Sequence, residues 1–470
     1  MNKFFFLCYL AIGLMMYAGC SGNSNNRIDP CETDPQPGCP NYVDPCETNP
    51  QPGCPNYVDP CETNPQPGCP NYVDPCVANP QPGCPNYDPD PELATSITLG
   101  TTPYTVTTTK EEFEDGFWYI KATLPDKPLV IHAVRYNTHK TGYSIETWSG
   151  KDSLNGKETP SAMVNRYAGK GREVKVAING GFYDMTADGV PNGPEIVRGM
   201  MTYLGDVSQP IVGFDANNKP YIDFLTFNSK IKNKNNVEAA ITNVNGIRST
   251  NDLVLYNSAK GKHTGANEWG TEVLCAPKTG QWETLSSYLN VRCGIEKIEL
   301  TAGKGNMSIP NGKMVLSGHG TANTYLSNLH TGDEVEVTVN YTLKNAPNVN
   351  SSIIHNAVSG YNIILKNSAI VEPASTSDNL IVGKHPRTAV GFSAEKDFVY
   401  FVVVEGRRTG ISEGVSTREL AQVMKYFGAT GAITLDGGGS SCLMIGKTTK
   451  NVLSDGSQRA VCNGLAIIKN

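Results

Sequence analysis

From residue 95 onward the apolar residues gather in short runs of β-branched and aromatic type. "GFWYIKATL" (116–124), "EVKVAIN" (173–179), "EVEVTVNYTL" (334–343) and "DFVYFVVVEG" (397–406) read as strands. One stretch has the helical period instead. Leu420, Val423, Met424 and Phe427 recur at i, i+3, i+4 and i+7, Ser416 and Glu419 form a capping-box pattern before them, and Gly428 stops the run. "AITL" (432–435) follows as a buried strand, which places Asp436 at the end of a helix-then-strand unit. Few helices among many strands predict an α+β domain with a mixed β-sheet core.

Residues 1–91 follow another pattern. Lys3 precedes the apolar run "FFFLCYLAIGLMM" and then "YAGC". That run is short for a membrane span and is followed by small residues, so residues 1–20 read as an export signal. Cys20 after Ala18-Gly19 resembles a bacterial lipobox, whose cysteine is lipidated after cleavage; the other reading is an ordinary secretory signal cut nearby. Either predicts a protein outside the cytoplasm, and the first a lipid anchor in the bacterial cell envelope, periplasmic or surface-facing. Residues 21–91 carry a 15-residue repeat that starts at Asp29, Asp44, Asp59 and Asp74, with the pairs Cys31/Cys39, Cys46/Cys54, Cys61/Cys69 and Cys76/Cys84. With four prolines per unit and almost no aliphatic residue, it cannot bury enough apolar surface to offset its ordering entropy. It reads as an extended spacer with loops closed inside each unit. The wide spacing of the paired thiols and the lack of histidine argue against a metal site.

Charge sharpens that division. Net charge is −6, and residues 1–91 hold ten acidic and two basic residues, which leaves a nearly neutral body over 92–470. No nucleic-acid partner is expected of such a balance.

Within the body, "LDGGGSS" (435–441) sets three glycines between a carboxylate and two hydroxyls. A strand ending in Asp-Gly-Gly-Gly can turn sharply and expose N–H groups to an oxygen-rich ligand. "AINGGFYD" (177–184) repeats the design, and "HPRTAVGFS" (385–393) puts Arg387 before a strand. Together they suggest an anion clamp of two glycine-lined strand ends and one guanidinium. No Walker loop is present.

The order "AINGGFYD", "GPEIVRG" (193–199), "VSGYNIILKN" (358–367), "RTAVG" (387–391), "EGRRTGISEGVSTRELAQVM" (405–424), "ITLDGGGSSCLM" (433–444) and "SQRAVCNGLAI" (457–467) resembles the phosphodiester glycosidase family over roughly 95–470. The resemblance implies hydrolysis of a sugar-1-phosphodiester or a related glycan linkage, with a glycan or sugar phosphate as partner and no cofactor or metal. It assigns Arg387 and the backbone donors of Gly180, Gly181, Gly437, Gly438 and Gly439 to the phosphate, with Thr388, Ser440 and Ser441 completing its hydrogen bonds. Asp436 and Glu195 become the carboxylates for acid/base or nucleophilic work, and Asn179 and Arg459 bind substrate or orient a carboxylate. Asp184 and His385 are weaker site residues. Residues 228–355 read as a β-rich insert that would alter which sugar or aglycone fits. Cys275 with Cys293, and Cys442 with Cys462, are expected as disulfides. Two other functions stay open: a glycan-binding lipoprotein without turnover, and a structural surface protein.

Overall fold

The computed structural model describes residues 90–186, 189–279, 291–300, 305–347, 354–373 and 375–470, with scattered positions between 37 and 70. The export signal, Cys20 and most of the repeats lie outside the described residues. Two compact units result, Met1–Asn79 and Pro80–Asn470. In the first, a Cys61–Cys69 disulfide closes a loop inside one repeat unit, and Cys39 and Cys54 are disulfide-bonded as well. Among the described residues no helix is long and apolar enough to cross a membrane.

Among its described residues the second unit is mostly β-sheet with a few short helices, which corrects the α+β expectation. Its pairings are antiparallel apart from a two-residue parallel contact of Asn243–Val244 with Leu253–Tyr256, so the sheets are not mixed in any larger sense. One eight-stranded sheet runs in the order Ala369–Ile370, Ile363–Lys366, Gly431–Thr434, Arg387–Phe392, Phe398–Val404, Leu129–Asn137, Phe117–Leu124 and Thr107–Glu114. A five-stranded sheet runs Thr448–Thr449, Leu443–Ile445, Glu173–Asn179, Asn463–Lys469 and Tyr143–Ser149.

Alternation along the strands explains how these two sheets pack. In Phe398–Val404, Val399, Phe401 and Val403 join a core shared with Val176, Ile178, Leu443, Leu465 and Ile467 of the five-stranded sheet. Tyr400, Val402 and Val404 turn the other way, toward Leu420, Val423 and Met424 of the helix Thr417–Tyr426. The helix Pro160–Gly169 covers the outer face of the five-stranded sheet through Met163, Val164 and Tyr167. Strands buried on both faces read in sequence as continuous apolar runs, so the helices are outer coverings of two stacked sheets and not half of the architecture. The capping box forms as the sequence reads: Ser416 Oγ accepts from the Glu419 N–H, and the Glu419 carboxylate accepts from the Ser416 N–H.

A second eight-stranded sheet takes its strands from Ser229–Asn233 through Glu334–Thr338. It encloses its own apolar core around Leu255, Val273, Leu316 and Val337. A short antiparallel pair, Leu225–Phe227 with Tyr341–Leu343, joins it to the rest of the unit.

The expected disulfides of this unit are absent. Cys275, Cys293, Cys442 and Cys462 are all buried free thiols. Cys275 faces Ile295 across its strand pair and Cys293 faces Pro277, so the two thiols sit on a diagonal, where β-carbons stand too far apart for a bridge. Cys442 and Cys462 precede strands that flank Glu173–Asn179 on opposite sides, which keeps a whole strand between them.

Candidate active site at the ends of the stacked sheets

Asn179 ends one strand of the five-stranded sheet, and Asp436 follows one strand of the eight-stranded sheet. The two ends are tied together. The Asp436 N–H donates to Gly180 O (2.9 Å), and Asn179 Nδ2 donates to Asp436 O (2.8 Å). Asn179 Oδ1 accepts from Thr388 Oγ1 (3.0 Å) and from the Cys442 N–H (3.1 Å). Asn179 and Thr388 are fully buried, and Thr388 Oγ1 also lies 3.2 Å from Ser441 Oγ. These three residues fasten the loop that carries Asp436; their polar groups face each other.

The glycines serve packing first. A β-carbon on Gly180 would stand 2.0 Å from Asn463 Oδ1, and one on Gly181 2.0 Å from Ser359 O. Gly437 would meet Pro386 O at 2.7 Å. Gly438, at φ +60°, would meet Arg407 Nη2 at 2.9 Å, and Gly439 would meet Asp455 Oδ2 at 1.8 Å and Arg459 Nη2 at 2.2 Å. The triple glycine thus lets two guanidinium groups lie directly on the loop. Its backbone donors are largely spent: the Gly437 N–H on Asp436 Oδ1, Gly438 on Pro386 O, Ser440 on Gly437 O and Ser441 on Gly438 O. The donors available to an anion here are side chains.

Two of those side chains form a roof. Arg459 donates to Asp455 Oδ2 (2.6 Å), and Arg407 lies 3.7 Å from Asp455 Oδ1. Arg407 has φ +60°, a left-handed conformation that a non-glycine residue adopts at a cost. Beneath the roof, burial pushes the Asp436 carboxyl up to about 6, against the lowering effects of Ser440, the Gly437 N–H and Arg459. A carboxyl near 6 is suited to proton transfer at neutral pH. Ser440 Oγ is buried between the Asp436 carboxyl and the Tyr183 hydroxyl, yet it meets no partner at hydrogen-bond geometry among the described residues. Phe182 and Tyr361 pack with tilted rings, centroids 5.0 Å apart, where 181 and 359–361 meet, an apolar rim suited to a sugar ring.

Arg387 is committed elsewhere. Nε, Nη1 and Nη2 donate to the carbonyls of Val415 (3.0 Å), Leu380 (2.7 Å) and Gly383 (2.8 Å). Burial lowers its pKa to about 10, and among the described residues no carboxylate lies at ion-pair distance. It knits the segment before the helix Thr417–Tyr426 to the short helix Asn379–Val382. Glu195 is also apart from Asp436. It is fully buried, accepts from Ser149 Oγ (2.8 Å), Thr202 Oγ1 (2.7 Å) and Asn463 Nδ2 (2.6 Å), and is raised by burial against those bonds. Its link to the Asp436 loop runs through Asn463, which accepts from the Gly180 N–H. Asp184 holds a turn through the Thr186 N–H (2.8 Å), and His385 Nε2 meets Asn379 O (3.0 Å).

Arg407 and Asp455 carry no sequence assignment, although Arg407 lies in the quoted "EGRRTG". One further residue explains how both are held. Glu405, 2 % exposed, accepts from His132 Nε2 (2.9 Å), the Val452 N–H (2.7 Å) and Arg408 Nη1 (2.6 Å). One carboxylate thereby fixes the turn that presents Arg407 and the loop that leads to Asp455 and Arg459. Among the described residues no cluster of His, Cys, Asp and Glu could hold a metal ion.

Residues 289–468 match the phosphodiester glycosidase family model, a family of hydrolases. The match includes Arg387, Arg407, Asp436 and Arg459 but begins after Asn179 and Glu195. No curated protein matches the chain by sequence. Among solved structures, a hypothetical protein from Synechocystis aligns at TM-score 0.61 and 17% identity over 77% of this chain and 64% of that one. The chain therefore spans under two thirds of that protein's length. A Burkholderia pseudomallei K96243 protein aligns at TM-score 0.55 and 19% identity, over 72% and 74% of the two chains. Both likenesses concern the fold alone. The zebrafish N-acetylglucosamine-1-phosphodiester alpha-N-acetylglucosaminidase catalytic domain, auto-inhibited by its pro-peptide, aligns at TM-score 0.38 and 13% identity over 80% and 87%. At that score the alignment carries no structural argument.

Proposed function

We propose that this protein is an exported, lipid-anchored glycosidase of the bacterial cell envelope that cleaves sugar-1-phosphodiesters. The observation that carries the reading is the pairing of a roof of two guanidinium groups with a carboxyl raised to about 6 on one glycine loop. In this mechanism Arg407 and Arg459 hold the phosphate, and the sugar ring rests against Phe182 and Tyr361. The Asp436 carboxylate takes a proton from a water that attacks the anomeric carbon. The bond from that carbon to the phosphate oxygen breaks, and the electron pair leaves on the phosphate, where the two guanidinium groups stabilise the added charge. A phosphate is a good leaving group, so one carboxyl on the water side suffices and Glu195 need not act as an acid.

The test incubates the mature protein with N-acetylglucosamine-1-phospho-methyl-mannoside and a panel of sugar-1-phosphodiesters. Release of free sugar and phosphomonoester, lost in Asp436→Asn, is the expected outcome. Saturable binding without turnover would replace this reading with a glycan-binding lipoprotein. Neither binding nor turnover of any panel member would reject both.

A further inference from the structure

A cavity of about 390 Å³ lies beside the edge strand Tyr143–Ser149 and is lined by residues the mechanism above does not use. Helix Pro160–Gly169 contributes Tyr167, and the Ser258–Lys260 turn closes one side, joined to the body by the Leu154 N–H on Ala259 O (3.1 Å). We propose that this cavity binds a single anionic sugar unit, at a site separate from the glycine loop. This goes beyond the glycosidase reading and does not depend on it.

The wall carries both halves of what a sugar needs. Ser149 and Thr202 line the cavity and donate their hydroxyl protons to Glu195. With their protons committed inward, their oxygens are left as acceptors for ligand hydroxyls. Glu195 is wholly buried behind them, so it orients the two hydroxyls and shows no charge to the cavity. Thr147 supplies the opposite polarity. Its Oγ1 is buried and has no partner among the described residues, while its backbone N–H is already engaged by Asn356 Oδ1 (3.0 Å). An unpartnered buried hydroxyl on a cavity wall costs free energy that a ligand or water would recover.

The charge of the wall selects the ligand. Lys170, Arg172 and Arg198 line it, against Asp152 as the one carboxylate, which Lys170 meets at 2.5 Å and thereby neutralises. Glu146 compensates from behind, taking Arg198 Nε at 3.1 Å and Arg172 Nη1 at 3.0 Å. Arg198 is held at φ +49°, with its N–H on Asn356 Oδ1 (3.2 Å), and its side chain stays 59% exposed. The same Asn356 oxygen therefore sets both Thr147 and Arg198. Tyr167 lies against the Arg166 and Arg172 guanidinium groups, each 5.2 Å from its ring. A hydroxyl-lined cavity with an excess of cations fits a monosaccharide unit bearing a carboxylate or a phosphate.

Isothermal titration of the mature protein with glucuronate, N-acetylglucosamine-1-phosphate and neutral methyl glucoside tests this. The two anionic probes distinguish a uronic acid from a sugar phosphate, and saturation by either that persists in Gly438→Val and weakens in Arg198→Ala supports the site. Arg198→Ala should weaken that binding about tenfold, the scale of one charge-assisted hydrogen bond, and Thr147→Val should weaken it several-fold. Gly438→Val, which obstructs the other site, should leave it unchanged. No saturable binding of either anion, equal binding of methyl glucoside, or binding lost in Gly438→Val and kept in Arg198→Ala would each overturn the proposal. Turnover of the phosphodiester panel reports on the glycine loop alone, so the two readings fail separately.

Discussion

Arg407 Nη2 occupies the space 2.9 Å from where a β-carbon of Gly438 would stand, and both residues are in the left-handed backbone region. The glycine at 438 is thus a requirement of the arginine's position as well as of the turn. Gly438→Ala should cost about 1–2 kcal/mol of stability from its backbone alone and should also push Arg407 off the loop. Gly446 is the matched control: it has φ +54° with nothing within 4 Å of a built β-carbon. Gly446→Ala should show a similar loss in denaturant melts, and only Gly438→Ala should lose phosphodiester affinity. Equal affinity in the two variants would separate the glycine from anion binding.

The Asp436 carboxyl is raised to about 6 by burial, above its ordinary value near 4 in an unfolded chain. The folded state therefore holds this proton more tightly. Its contribution is most favourable below about pH 4 and is lost as pH rises through 6, by about 3 kcal/mol. Asp436→Asn should flatten that part of the stability–pH curve. Activity should move the other way, with an acid limb in kcat/KM near pH 6 in the wild type and turnover at least ~100-fold lower in Asp436→Asn. A wild-type rate that is level from pH 5 to 7 would argue against Asp436 as the base.

Arg387 gives three hydrogen bonds to carbonyls and none to a carboxylate. Arg387→Lys keeps the charge but cannot reach three divergent acceptors. It should cost about 1–3 kcal/mol of stability and weaken phosphodiester and neutral glycoside alike. Arg407→Ala should weaken the phosphodiester alone. A phosphodiester-selective loss in Arg387→Lys would return the clamp role to that residue.

The strands "EVKVAIN" and "DFVYFVVVEG" and the capped helix were legible because their signals are local: residue type, period and caps. The class was not, because a strand buried on both faces hides its alternation, as Phe398–Val404 does. Asn179, Asp436 and Ser440 lie at glycine-flanked strand ends that the sequence marks locally, and the structure brings those two ends together. Arg387 and Arg407 were not separable. Both are arginines beside β-runs, and only the tertiary partners, three carbonyls in one case and the bare face of Gly438 in the other, distinguish them. The cysteine pairs failed for a related reason, since the register of Cys275 against Ile295 is set by a bulge between Leu274 and Cys275 that no residue announces.

Among the described residues of the second unit the four thiols are buried, and burial pushes Cys293 and Cys442 up to about 12. A thiol that is neither accessible nor ionised does not attack a disulfide reagent. Native protein should leave Cys275, Cys293, Cys442 and Cys462 unlabelled, and denaturant should expose all four. Peptide mapping that finds any of them bridged in native protein would contradict the packing described.

Glu405 joins the turn carrying Arg407 to the loop carrying Arg459, two segments that also meet through Asp455 and Arg407. Burial raises its pKa, but the His132 ring, the Val452 N–H and Arg408 outweigh that and hold it lowered. His132 Nε2 lies 2.9 Å from Glu405 Oε1, and Nδ1 lies 2.8 Å from Tyr119 OH. Glu405→Gln keeps the shape but replaces an acceptor oxygen with an NH₂, which then faces either the His132 N–H or Arg408, each a donor. The variant should fold, with a loss on the order of 1–3 kcal/mol for the mismatched buried donor. Because the turn carrying Arg407 and the loop carrying Arg459 are released together, KM for a phosphodiester should rise more than in either Arg407→Ala or Arg459→Ala. The acid limb set by Asp436 should stay near pH 6, since Glu405 does not touch that carboxyl. A Glu405→Gln protein with lowered stability and unchanged KM would make Glu405 a packing residue, and the two loops would then have to hold their arginines without it.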